Sequence, residues 1–465
     1  MKRIRIPAEL QKMNEIFANH GYEAHLVGGA VRDILLGKPA ADWDIATNAS
    51  PQAVMRIFHK VIPTGLAHGT VTVLFMRQQV EVTTYRTDGN YSDGRRPDSV
   101  QLGATLVEDL ARRDFTINAI AASLADGTII DPFDGRGDLQ RQLIRTVGSP
   151  RDRFHEDGLR PVRALRLSAQ LGFSIEATTL AAISHDDIRQ TIRSVSMERF
   201  RDELTKLLRA PEPSLGLRAM EETGVLALFI PELAAGRGVT QADARGFHEF
   251  DVFDHNVYAC DGAPCDNDTV RLAALLHDVG KTYTRTVEHI PHAADGIDLI
   301  HFHGHEAEST RLTRDILLRL RFPNAVIHRV SHLIAQHMFH YESNWSDAAV
   351  RRFLVRVGSE NIDDLFLLRC ADIYGMHRVP PVAGSSTMRA LDELRERIAR
   401  VHAEQSALSL KDLAVCGTDL LALGVPEGKQ VGQLLGELFQ CVLDDPTMNT
   451  REQLLAVAQR LFAQR

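Results

Sequence analysis

The sequence predicts an α+β head, a small mixed sheet with helices, followed by an all-α remainder. Three observations predict it. Up to about residue 130, short apolar strand-like runs alternate with helix-like segments in a strand–helix–strand–strand order, which suits a small mixed sheet with helices on one side. Between 141 and 209 the composition shifts to 13 Lys/Arg against 9 Asp/Glu in a helical pattern. Beyond that, 12 of the 20 histidines fall between 248 and 340, on helix-like stretches. At 465 residues the chain has room for three or four domains.

The first segment, AELQKMNEIFANH (8–20), has helical spacing through Leu10, Met13, Ile16 and Phe17, and Gly21 can end it. The stretch LVGGAVRDILLGKPAADWDI (26–45) follows, and the rest of the head is arranged around it. An apolar run ends in Gly28-Gly29; Arg32 and Asp33 come next, then the helix-like Ile34–Leu36. Asp42 and Asp44 flank Trp43. Carboxylates at i and i+2 on a strand point to the same face. Two of them can hold two hard cations such as Mg²⁺, the requirement for in-line displacement at a phosphate. Gly29 and its neighbour let backbone N–H groups approach a triphosphate, and Arg32 adds charge-assisted hydrogen bonds.

Ser50-Pro51 reads as an N-cap with proline in the first turn, opening a helix over Gln52–His59. Val71–Met76 and Val80–Tyr85 read as two strands around Arg77-Gln78-Gln79. In the second, Glu81 shares a face with Thr83. Residues 87–99, TDGNYSDGRRPDS, form a turn-rich loop. EDLARRDFTINAI (108–120) places Arg112, Arg113 and Asp114 before an apolar segment that packs behind the site.

On a helix, Asp157, Arg160, Arg163 and Arg166 in HEDGLRPVRALRLSAQLGF fall three apart and line one face. A carboxylate only accepts hydrogen bonds and a guanidinium only donates. Cytosine and adenine both present an exocyclic amine beside a ring-nitrogen acceptor. Uracil and guanine present a carbonyl and a ring N–H there. An Asp157/Arg160 pair therefore accepts C and A and leaves U and G with mismatched buried groups. Pro161 inside that helix is expected to kink it. Helix 196–208, SMERFRDELTKLL, follows, with Arg199 and Arg201 bracing it or meeting RNA.

These motifs together resemble the polymerase-beta-like nucleotidyltransferases, most closely the second class of CCA-adding enzymes in the tRNA nucleotidyltransferase/poly(A) polymerase family. The resemblance implies template-independent addition of C, C and A to tRNA ends from CTP and ATP, with two Mg²⁺ at Asp42 and Asp44 and Glu81 as the third carboxylate. It assigns Gly29, Arg32 and Arg113 to phosphates. Asp157 and Arg160 would read the base through an E-D-x-x-R element, with Arg163 and Arg166 ordering the pocket. Arg95-Arg96-Pro97-Asp98 matches the flexible loop of enzymes that add the terminal A. A poly(A) polymerase shares the head and is the nearest alternative. An RNA-binding hydrolase with an inactive head is the alternative of another class.

His255, His277-Asp278, His305, His337 and Asp372 come from successive helix-like runs. Imidazoles and carboxylates gathered this way suit a divalent transition metal. The set resembles the HD phosphohydrolase superfamily, which implies one ion on His255, His277, Asp278 and Asp372 and a second on His305 and His337. Lys281 would meet a phosphate. The expected domains are a nucleotidyltransferase head (1–147), a helical neck (148–245), an HD domain (246–380) and a helical tail contacting tRNA (381–465).

A net charge of −8 confines RNA contact to local basic patches. No run approaches the ~18 apolar residues of a membrane helix. The N-terminal MKRIRIPAELQKM is too charged for a signal peptide. Five cysteines without a C-x-x-C pair imply reduced thiols and a cytoplasmic setting.

Overall fold

The computed structural model describes residues 3–40, 42–89, 100–242, 249–290, 297–404 and 408–464. Two compact units divide the chain: Met1–Ala234 with Arg319–Phe322, and Ala235–Leu318 with Pro323–Arg465.

The first unit begins with the head. Its mixed sheet holds β1 (Ala24–Val27), β2 (Trp43–Thr47), β3 (Val61–Gly65), β4 (Thr70–Phe75) and β5 (Gln78–Thr84), then Ala121–Ser123 and Ile129–Ile130. The order is β3-β4-β5-β2-β1 followed by those two short strands. β2 and β5 run parallel, with Asp44 opposite Glu81; β1 is antiparallel to β2 and β4 to β5. Val71, Val73, Val80 and Val82 are buried at 0–1% exposure while Glu81 between them is exposed. This alternation is the period of two that one covered face demands.

The β4–β5 connection is tighter than the expected Arg77–Gln79 turn. Phe75 already pairs with Gln78, so Met76 and Arg77 alone turn the chain, at φ +48° and +68°. Two left-handed residues match the twist of a hairpin. Ser50 accepts from Ala53 N and Pro51 opens the helix Pro51–Ile57, as that dipeptide predicts.

The neck's central helix is Leu159–Leu171. Gly216 in the helix Pro213–Glu222 lies against it, close enough that a Cβ there would sit 2.8 Å from Leu165 O. Phe200 and Phe229 stack at 3.8 Å between centroids. In the second unit Gly262 and Gly375 let Val252–Gly262 lie directly on Ile362–His377. A Cβ on Gly375 would come within 2.9 Å of His255 O. The tail has its own apolar core of Leu420, Leu434, Leu438, Val442, Leu454 and Ala458.

The part beyond the head is mostly helical, and the helical pattern does not announce two short ribbons, one of which joins the end of the head to the neck. Leu143–Ile144 pairs with Ser174–Ile175, and Thr286–Ile290 with Ile297–His301. Among the described residues no helix is long and apolar enough to cross a membrane.

Candidate active site and metal cluster

Asp42, Asp44 and Glu81 line one cleft of about 640 Å³ with Gly29, Arg32, Asp33, Asn118, Arg163, Arg166 and Lys206. Parallel pairing of β2 with β5 sets Asp44 beside Glu81. Asp42 stands just before β2. Burial pushes the Asp44 carboxyl up to about 6, Arg113 opposes this, and Glu81 and Asp42 add to it. Three acids converging on partly dehydrated space make a donor set suited to hard cations.

Gly28 is the N-cap of the helix Gly29–Leu35, at φ +73° and ψ −138°, a conformation open in practice only to glycine. A Cβ there would stand 3.1 Å from Arg113 Nη1 and 3.5 Å from Asp44 Oδ2. The glycine thus lets the guanidinium of Arg113 approach the acids. Arg113 and Arg112 are both held by Asp109, which is fully buried; Arg112 donates at 2.8 and 3.0 Å and Arg113 at 3.4 Å. Burial raises the Asp109 carboxyl, and the two guanidinium groups outweigh that and hold it low.

A chain of side chains links this turn to the neck helix. Arg32, 8% exposed, donates to Asn118 Oδ1 at 2.8 Å, and Asn118 Nδ2 donates to Asp114 Oδ1 at 3.1 Å. Asp114 Oδ2 accepts from Arg163 Nε and Nη2 at 2.8 and 2.6 Å. Asp114 thus orients an arginine. Arg166 is buried on Glu203, at 2.6 Å from Nε to Oε2, and also donates to Gln170. Asn118, Asp109 and Glu203 were not singled out by the sequence. Asn118 and Asp109 lie inside EDLARRDFTINAI; the polarity of Asn118 between Ile117 and Ala119, and the spacing of Asp109 three and four residues before Arg112 and Arg113, were the available signals.

Asp157 does not share the helix of Arg160, Arg163 and Arg166. It is extended, at φ −146° and ψ 113°, and the helix starts at Leu159 after Gly158. Gly158 packs on Thr191, where a Cβ would lie 2.3 Å from the carbonyl oxygen. Pro161 then falls in the first helical turn, where no N–H is needed, so it causes no interruption: the helix runs unbroken to Leu171. Arg160 N donates to Asp157 O at 3.0 Å, but their side chains do not pair with each other. Asp157 Oδ2 accepts from Arg199 at 2.7 Å; Arg160 donates to Arg153 O at 3.2 Å and Arg112 O at 2.9 Å and pairs with Glu156. Both nevertheless line a pocket of about 290 Å³ with Arg112, Arg113, Asp114, Arg163 and Arg199. Arg95–Asp98 lies outside the described residues.

In the second unit His255, His277, Asp278, His305, His337 and Asp372 are all buried and gathered together. His255, His277 and Asp372 present ligand atoms within 4.8 Å of one another, as do His277, Asp278 and His337. Asp278 is central. Its Oδ2 lies 3.2 and 3.3 Å from His255 and His277 Nε2; its Oδ1 lies 3.3 and 3.7 Å from His305 and His337 Nε2. Asp372 Oδ1 reaches His255 and His277 at 3.3 and 3.5 Å, and its Oδ2 is held by Arg369 at 2.7 Å.

His277, His305 and His337 donate Nδ1–H to the carbonyls of Ala274, Phe302 and Ile334 at 2.8, 2.8 and 2.7 Å. That fixes the tautomer and turns each Nε2 lone pair inward. Asp278 Oδ1 and His305 Nε2 are buried with no hydrogen-bond partner, and such orphaned donor atoms fit a divalent transition metal. Burial lowers His277, but Asp278 and Asp372 outweigh it and push it up to about 10, so the carboxylates favour a cation here. Lys281 is buried, 2.6 Å from Asp278 Oδ2 and 2.7 Å from Gln241 Oε1.

Residues 24–145 match the Poly A polymerase head domain, 172–236 the probable RNA and SrmB-binding site of polymerase A, and 246–376 the HD domain. The CCA-adding enzyme of Levilactobacillus brevis is 35% identical over 440 residues, covering 94% of this chain and 93% of that enzyme. That of Enterococcus faecalis is 34% identical over 467 residues, covering 99% and 98%.

The chain belongs to the CCA-adding enzymes.

It is therefore a nucleotidyltransferase. The family member of Lactobacillus johnsonii is 49% identical over 216 residues, an alignment that spans 46% of this chain and about half (52%) of that enzyme. Among solved structures, the Bacillus stearothermophilus CCA-adding enzyme in complex with CTP has a TM-score of 0.73 at 29% identity, covering 98% of each chain. The Thermotoga maritima enzyme complexed with tRNA shares the fold, at TM-score 0.56 and 18% identity over 99% of this chain and 100% of that one.

Proposed function

We propose that this enzyme adds C, C and A to the 3′ end of tRNA, taking CTP and ATP, using no nucleic-acid template and releasing pyrophosphate. The observation that carries the reading is the Asp44–Glu81 register beneath Gly28, with Arg113 against it. The CTP complex of the Bacillus relative and the tRNA complex of the Thermotoga relative are its analogies.

The backbone at Gly28–Gly29 approaches the triphosphate, and Arg32 and Arg113 donate to its oxygens. Mg²⁺ held by Asp42 and Asp44 beside Glu81 would lower the pKa of the primer hydroxyl and neutralise charge on the leaving pyrophosphate. Asp157 accepts from the exocyclic amine of C or A, and Arg160 donates to the neighbouring ring nitrogen. Arg199 and the carbonyls of Arg112 and Arg153 hold these two groups in place, so the protein does the work of a template. Arg163 and Arg166 order the floor of the pocket. We assign head, neck, HD domain and tail to 1–147, 148–245, 246–380 and 381–465, and place the enzyme in the cytoplasm, where its five free cysteines stay reduced.

The His/Asp cluster is assigned an accessory phosphoester hydrolysis, for which a bound divalent metal would supply an activated water. Replacing His277 with glutamine should abolish phosphate release and leave nucleotide addition intact.

The deciding experiment supplies CTP and ATP, separately and together, to tRNA ending at its discriminator base and to an unrelated RNA. Three residues added to tRNA alone is the expected result. Long A tails on either RNA would instead establish a poly(A) polymerase. Phosphate release without incorporation would establish an RNA-binding hydrolase.

A further inference from the structure

The cleft that holds the acids has two walls of opposite chemistry. Asp33, Asp42, Asp44 and Glu81 line it from the head; Arg163, Arg166, Gln170 and Lys206 line it from the neck. Arg163, Arg166 and Gln170 stand at i, i+3 and i+7 of the helix Leu159–Leu171 and so share one face. Lys206 comes from the helix Met197–Leu208, which also carries the buried Glu203. Glu203 Oε2 accepts from Arg166 Nε at 2.6 Å, and its Oε1 lies 3.4 Å from Lys206 Nζ and 3.8 Å from Arg163 Nη1. One buried carboxylate thus gathers three cations along this wall.

The wall offers donors to the cleft. Arg166 donates to Gln170 Oε1; a guanidinium only donates, so the amide oxygen is committed to it and the Gln170 NH₂ remains as a donor. An ammonium likewise only donates, and the Lys206 side chain is 57% exposed. Arg160 lines the base pocket, Arg163 both the base pocket and the cleft, and Gln170 the cleft. From Arg160 to Gln170 the helix climbs about 15 Å. On the reading above the base of the nucleotide lies at Arg160, and its triphosphate at Gly28-Gly29, Arg32 and Arg113. In-line displacement brings the attacking hydroxyl from the side opposite the leaving pyrophosphate, which leaves the Gln170 end of the cleft to the RNA.

We infer that Gln170 and Lys206 form the subsite for the last phosphodiester of the RNA 3′ end. Phosphodiester oxygens are acceptors and carry negative charge, so they match a wall of donors and are drawn away from the acids opposite. A phosphate contact positions the strand and carries no sequence information. The reaction needs that indifference, because the terminal residue of the RNA changes after each addition. The inference rests on the nucleotide-addition reading for the identity of the RNA end.

The test measures filter binding of tRNA ending at its discriminator base to the full-length protein, between about 50 and 200 mM salt. Lys206→Gln should weaken binding several-fold and reduce the steepness of log K against log salt by about 0.7, the share of one phosphate on a single strand. Lys206→Arg should retain both. Gln170→Ala should weaken binding with the salt slope unchanged, because it removes a neutral donor. In steady-state assays Lys206→Gln should raise KM for tRNA several-fold and leave KM for CTP at the wild-type value. Filter binding needs no turnover, so a failure of nucleotide addition and a failure of this subsite read out separately. Wild-type affinity and salt slope in Lys206→Gln overturn the proposal, as does a rise in KM for CTP in place of tRNA.

Discussion

Asp44 is held in a state that costs stability, and the cost can be measured. Burial, with Glu81 and Asp42 behind it, raises its carboxyl from 3.8 to about 6 against the pull of Arg113. Between those two values the folded head keeps a proton that the unfolded chain has released. Stability therefore falls as pH rises through this window, and the full loss is present above about 6. A displacement of that size corresponds to about 3 kcal/mol of disfavoured ionisation. Asp44→Asn keeps the shape and removes the charge. In chelator at pH 8 the variant's head should be more stable than wild type, by up to about 3 kcal/mol, and the gain should vanish near pH 4. The same variant should add no nucleotides, because an amide cannot replace the anionic oxygen at the reacting phosphate. The chain's two tryptophans are Trp43 and Trp345. Urea unfolding followed by Trp43 fluorescence in a Trp345→Phe background therefore reads the head next to the substitution. A variant no more stable than wild type at pH 8, or one that adds nucleotides at full rate, refutes the reasoning.

Gly28→Ala should destabilise the head by about 1–3 kcal/mol, the cost of a side chain in this backbone region, and slow incorporation by displacing Arg113; unfolding curves and single-turnover rates check both. Asp114→Asn should weaken the link from Arg163 to Asn118 and Arg32, costing about 1–3 kcal/mol and raising KM for both nucleotides more than it lowers kcat. Asp157→Asn replaces an acceptor-only group with one that can also donate. Discrimination against UTP, measured as the ratio of kcat/KM values, should fall by about tenfold or more, while Asp157→Glu should retain more of it.

The head was legible because its signals are local. Gly28-Gly29, Asp-x-Asp and the alternation around Glu81 are constrained by backbone periodicity, and the structure puts Gly29, Asp42, Asp44 and Glu81 in one cleft. That Asp157, Arg160 and Arg163 line one pocket was legible, but its geometry was not. Spacing of three between Asp157 and Arg160 suggested one helix face, yet Gly158 and Pro161 move the helix start between them. A period assumes an unbroken helix, and a glycine packed on Thr191 O is a tertiary fact. The gathering of the six His/Asp side chains was also legible by type, since imidazoles and carboxylates on neighbouring helices have few other joint uses. The contact of Lys281 with Asp278 and Gln241 was not, because a lysine beside a glycine looks the same whatever side chain it meets.

From its residues alone the chain determined which side chains gather: the acids and arginines of one cleft, and the imidazoles of one cluster. Only the tertiary structure decided who holds whom. Asp114 gripping Arg163 of the neck helix and Arg199 holding Asp157 are contacts between residues 49 and 42 positions apart. Local periodicity carries no information about such pairs. They follow from how burial of apolar faces brings distant segments together and leaves each buried charge to find its partner.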